Sequence, residues 1–153
     1  MRLAIGADHA GFEMKRDLAA YLAKQGHEIT DLGTHTTAAV DYPDIASAVA
    51  MAIRNGQADR GILICGSGAG ASVAASKFPG VRAAICHDTY TARQAVEHDD
   101  LNVLCLGSRV IGPALARTLT DAFLMATFSA EERHVRRLGK IDAIESRFSR
   151  EDA

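Results

Sequence analysis

The chain has no tryptophan, three tyrosines, five phenylalanines, three prolines and three cysteines. With so few aromatics, a core must be assembled from alanine, isoleucine, leucine and valine. Cys65, Cys86 and Cys105 are odd in number, and each stands at the end of an apolar run. That excludes a disulfide framework and reads as reduced thiols in a cytoplasm. No run approaches the roughly 18 apolar residues of a membrane span, and "MRLAIGADHAGFEM" lacks the apolar region of a signal peptide. A net charge of −2 gives no general attraction to nucleic acid or to an anionic membrane. Any handling of anions must be local.

What is present is a regular alternation over 153 residues, a length that suits one domain. "RLAIGAD", "HEITDLG", "RGILIC", "VRAAIC" and "NVLCLG" are short apolar runs bounded by turn residues, and so predict strands. Between them lie helical spacings. Met14, Leu18, Tyr21 and Leu22 precede a C-capping Gly26, and Ile45, Val49, Ala52 and Ile53 follow Pro43 in a first turn. Helices are also predicted over 71–78, over 89–98 and after Pro113. Five such units predict an α/β fold, a three-layer αβα sandwich around a five-stranded parallel sheet. Short crossovers favour the flavodoxin-like strand order 2-1-3-4-5. An extra C-terminal helix over 129–149 is predicted, opened by an S-x-x-E box at Ser129 and Glu132. Its apolar Val135, Leu138, Ile141, Ile144 and Phe148 suit a partner subunit as well as its own domain, and Gly139 interrupts it.

In open parallel sheets the ligand crevice lies beyond the carboxyl ends of the strands, where the order reverses. In the expected order this falls between the first and third strands. Asp8 and His9 would then face "CGSGAG", residues 65–70. The glycines permit close backbone approach, and the N–H groups there favour an anion or a developing oxyanion. The same field favours a thiolate at Cys65, able to act as base or nucleophile. Sharper motifs fail. A C-x5-R phosphatase loop would need Arg where Ala71 stands, and a G-x-S-x-G elbow would need Gly where Cys65 stands. No P-loop and no paired zinc ligands occur. Gly66-x-Gly68-x-x-Ala71 with Asp88 fits a dinucleotide fingerprint, though after the third strand instead of the first, and leaves a non-catalytic nucleotide-binding module as the rival.

Six motifs in order, "GADHAGF", "DYPD", "ILICGSGAGAS", "FPGVRAA", "EHDDLNVLCLGSRVIG" and "RHVRR", resemble the type B ribose-5-phosphate isomerase family, which includes the galactose-6-phosphate isomerase subunits. The resemblance runs to about Phe148. It implies metal-independent, cofactor-free interconversion of D-ribose 5-phosphate and D-ribulose 5-phosphate through an enediol(ate), in the pentose phosphate pathway. It also implies a homodimer or homotetramer with shared active sites. By the same resemblance Cys65 is the base, Gly66, Gly68, Gly70 and Ser67 hold the enediolate, and His98 opens the furanose ring. Asp8 and Tyr42 lie near the sugar oxygens, and His9, Arg109, Arg133 and Arg137 take the phosphate. Arg133 and Arg137, four residues apart, would share a helix face and clamp one dianion. Some family members carry a glutamate at the position of Ala71 and no cysteine; here Cys65 is the only base on offer.

Two departures bear on substrate. Asp99 and Ser76 stand where the family often has asparagine, and an ionised carboxylate cannot donate to a sugar hydroxyl. A tetrose 4-phosphate or an allose or galactose 6-phosphate is therefore the alternative substrate. Cys86 and Cys105 read as core residues and Arg136 as a solvated or interface charge. His27, His35, His87 and His134 receive no role.

Overall fold

The computed structural model describes residues 1–149. The apolar runs become β1 (Arg2–Ala7), β2 (Glu28–Asp31), β3 (Arg60–Cys65), β4 (Ala83–Ile85) and β5 (Val103–Gly107). Helices α1 (Phe12–Lys24), α2 (Tyr42–Arg54), α3 (Ala69–Ala75), α4 (Thr89–Asp99) and α5 (Pro113–Met125) follow the strands in turn, and α6 (Glu132–Phe148) closes the series. Every strand pairing is parallel. Alternate residues of each strand face opposite helical layers. Leu3, Ile5, Ile62, Ile64, Leu104 and Leu106 pack with α1, α4 and α5, while Ala4, Leu63, Cys65, Val103 and Cys105 pack with α2 and α3.

The strand order is β2-β1-β3-β5-β4, which corrects the expected 2-1-3-4-5 within the same fold class. The reason lies in burial. All five residues of β5 are buried, as an interior strand requires, whereas β4 is three residues long and partly exposed, as suits an edge. The reversal between β1 and β3 is as expected. The exchange of β4 and β5 changes which loop borders Cys65: Cys65 now pairs in register with Gly107, not with the end of β4.

Two helix starts also differ. The third helix begins at Ala69, directly after the glycine turn, not at residue 71. The S-x-x-E box does not form; α6 starts at Glu132 behind Glu131, which makes no side-chain cap. The Ser129 hydroxyl instead meets His134 Nδ1 at 2.5 Å and accepts from the Glu131 amide at 3.2 Å. The helix continues through Gly139. Its Val135, Ile144 and Phe148 are 50%, 62% and 72% exposed, an apolar stripe the fold leaves uncovered. Among the described residues no helix is long and apolar enough to cross a membrane.

Candidate active site

The cavity at the β1/β3 reversal has a volume of about 350 Å³ and is lined by Asp8, Tyr42, Cys65, Gly66, Ser67, Gly70, Arg109 and Val110. Cys65 ends β3 and is 5% exposed. The Gly68 amide donates to its sulfur at 3.1 Å. Gly68 can turn back in this way because its φ is +83°, a conformation that side-chain-bearing residues rarely adopt. The other two thiols lack this setting. Burial pushes Cys86 up to about 11, with the charge of Asp88 adding to it, and burial pushes Cys105 higher still.

Three loops close around that sulfur. The loop after β5 is sewn to the glycine loop by Ser108 N–H to Cys65 O at 2.8 Å and Arg109 N–H to Gly66 O at 3.0 Å. The Ser108 hydroxyl reaches Ala10 O at 2.8 Å, tying in the loop after β1. On that first loop, Asp8 Oδ1 accepts the amides of Ala10 and Gly11 at 3.0 and 3.1 Å. Asp8 is thus both a turn residue and part of the cavity wall. His9 Nδ1 accepts from Val40 N–H at 3.2 Å, which leaves Nε2 as the donor of the neutral ring. Tyr42 opens α2, and its ring lies so close over Gly70 that a β-carbon there would come within 2.7 Å of it. Buried Lys15 donates to Asp31 Oδ1 and Thr34 O, both at 2.6 Å, and so anchors the segment leading to Tyr42.

A family described as Ribose/Galactose Isomerase matches residues 3–141. The chain belongs to the ribose/galactose isomerase family. It is 46% identical over 146 residues to ribose-5-phosphate isomerase B of Escherichia coli, covering 95% of this chain and 97% of that protein. It is 43% identical over 129 residues to D-erythrulose-4-phosphate isomerase of Pectobacterium atrosepticum, covering 84% and 85%. Its fold matches the solved structure of Clostridium thermocellum ribose-5-phosphate isomerase B with a TM-score of 0.95 at 49% identity, over 97% of this chain and 100% of that one. The protein is an aldose–ketose isomerase acting on sugar phosphates.

Within this isomerase the chain brings together only part of the expected set. His98, Asp99, Arg133 and Arg137 lie apart from the cavity. The helix α4 runs back along the sheet, so His98 and Asp99 sit beside the start of β5, at the opposite end from Cys65. There the rings of His98 and His134 stack with centroids 3.9 Å apart, and Gln94 Nε2 meets His98 Nδ1 at 2.8 Å. His134 is 2% exposed and its Nε2 is buried without a partner among the described residues. Arg133 pairs with Glu131 on the surface and Arg137 is exposed one helical turn further on. This second cluster is cationic and polar, set on the ends of α4 and α6.

Asp88 is not free for a ribose, because its carboxylate accepts both the amide and the hydroxyl of Thr91 at 2.7 Å as the cap of α4. Ser76 closes α3 with its hydroxyl 3.4 Å from Ala83 O and does not line the cavity. Val110 lines the cavity and Ser108 braces the loops around it, and neither was expected. Neither has a chemical signature in sequence; what would have found them is the β3–β5 pairing.

Proposed function

We propose that the substrate pair is ribose 5-phosphate and ribulose 5-phosphate, with Cys65 as the base. The observation that carries this reading is the Cys65 sulfur facing the cavity with the Gly68 amide directed at it. The thiolate takes the proton from C2 of the open-chain aldose. The electron pair forms the C1=C2 bond and leaves negative charge on O1. Backbone amides of the glycine loop and the Ser67 hydroxyl meet that charge, the kind of fixed donor that lowers such a barrier most. The O2 proton passes to O1, and the thiol returns its proton to C1 as O2 becomes the ketone oxygen. Nothing is oxidised or reduced overall, and no external group is consumed.

The second cluster supplies the rest when a second copy of the chain is added. A ring-opening His98 and a phosphate clamp of Arg133 and Arg137 stand at the far end of their own sheet. They serve a cavity on a partner, the two cavities being related by a two-fold axis. His9 and Arg109 hold the phosphate from the cavity's own side.

The test is exchange of the C2 proton of ribose 5-phosphate in deuterated water, followed by NMR for wild type and Cys65→Ala. We expect exchange with ribulose 5-phosphate formation in wild type and a loss of about a thousandfold in the variant. Full turnover by Cys65→Ala would remove the base. Asp99, in place of an amide, and the relation to an erythrulose-4-phosphate isomerase favour a second reading, the same chemistry on a tetrose 4-phosphate. A higher kcat/KM for erythrulose 4-phosphate than for ribose 5-phosphate would establish it.

A further inference from the structure

We infer that His87, which lies outside the cavity, is a positioning residue for the isomerisation, holding the Gly107 amide and through it the glycine loop and Arg109. The inference rests on the isomerase reading above.

The edge strand β4 pairs with β5 only through three residues, ending at Ile85 opposite Cys105. Two residues further on, His87 stands where it would face Gly107. The Gly107 amide donates to His87 Nε2 at 3.0 Å, so an imidazole ring continues the ladder where the backbone of β4 has stopped. Gly107 is the residue in register with Cys65. It also abuts the Ser67 backbone, to which an added β-carbon would come within 2.6 Å. The two residues after Gly107 bond back to Cys65 O and Gly66 O, and the second of them is Arg109. One acceptor nitrogen thus fixes the point at which the β5 loop, the oxyanion-holding loop and a phosphate arginine meet.

Without the acceptor, the amide of buried Gly107 is left unpaired, and that loss is relieved by movement of the loop. Displacements of about 1 Å at such a site cost on the order of a hundredfold in rate. A merely structural histidine would lower stability and leave the rates of folded enzyme alone.

The experiment compares wild type, His87→Phe and His87→Gln as intact proteins. His87→Phe keeps a ring and removes the acceptor; His87→Gln offers an amide oxygen at similar reach. In ¹⁵N-labelled wild type, a coupling across the hydrogen bond between Gly107 N and His87 Nε2 should be measurable. We expect His87→Phe to lower kcat by about tenfold to a hundredfold with KM changed about twofold or less, and His87→Gln to recover most of it. Wild-type kcat in His87→Phe, or a His87→Gln no better than His87→Phe, would overturn the inference. So would the absence of the coupling. Wild type inactive on every sugar phosphate would sink the isomerase reading and this inference with it, a result separable from active wild type with indifferent variants.

Discussion

The Gly68 amide lies 3.1 Å from the Cys65 sulfur, across a turn of three residues. The chain's two other cysteines stand in a different setting. Cys65 opens on the cavity, while Cys86 and Cys105 are fully buried and pushed up by desolvation. Iodoacetamide at about pH 8 should therefore modify Cys65 first and spare Cys86 and Cys105 in folded protein, as thiolates alone react. Peptide mapping checks this, and equal labelling of all three would contradict the assignment.

Separation of His98 from Cys65 along the sheet makes a second expectation. Cys65→Ala and His98→Asn should each be inactive on cyclic substrate alone. Mixed after dissociation in equal amounts, they should recover about a quarter of wild-type activity, because a two-fold dimer of the two variants keeps one intact site. Recovery of none would mean that each chain builds its site by itself.

Removing one arginine of the proposed clamp bears on binding more than on chemistry. Arg137→Ala should raise KM about tenfold to a hundredfold, the worth of a charge-assisted hydrogen bond, with a smaller change in kcat. An unchanged KM for the phosphorylated sugar would exclude Arg137 from phosphate recognition.

A pH dependence follows from His134. Burial first, then the neighbouring His98, Arg133 and Arg137, hold its imidazole below the ordinary 6.5. The folded chain then binds fewer protons there than the unfolded chain. Stability is complete above about pH 6.5 and is lost as pH falls through the lowered value. Urea midpoints measured from about pH 8 to 5 should decline, and His134→Phe should flatten the decline. An identical slope in the variant would place the acid sensitivity elsewhere.

The core offers a plain stability test. Leu119 on α5 is fully buried against the β1–β3–β5 face. Leu119→Ala should cost about 2–5 kcal/mol in denaturant unfolding, with kcat per folded molecule unaltered.

Much of this architecture was readable beforehand. Alternating apolar runs and helical spacings located all five strands, and the loops after the first and third strands identified Asp8 and Cys65 as neighbours. The order of β4 and β5 was not, because periodicity reports burial on faces and says little about which strand lies beside which. A closer weighing of "AAI" against "VLCLG" would have favoured the shorter, less apolar run for the edge. Arg109 rested on resemblance alone until the β3–β5 register carried it to Gly66. The box at Ser129 failed because α6 begins at Glu132, with Glu131 and not Ser129 at its cap position, and the Ser129 hydroxyl lies against His134 Nδ1 instead. The resemblance names His98, Arg133 and Arg137 with the cavity, yet they lie apart from it, and sequence spacing does not report distance along the sheet.

The exchange of the last two strands also governs the order in which a growing chain can complete itself. A ribosome delivers β4 before β5, but among the described residues β4 pairs with β5 alone. Until Val103–Gly107 emerges, β3 carries an open edge and β4 waits unattached. The glycine loop is therefore synthesised long before the neighbour that fixes it, and the sheet closes from its interior outward, with the earlier strand docking last.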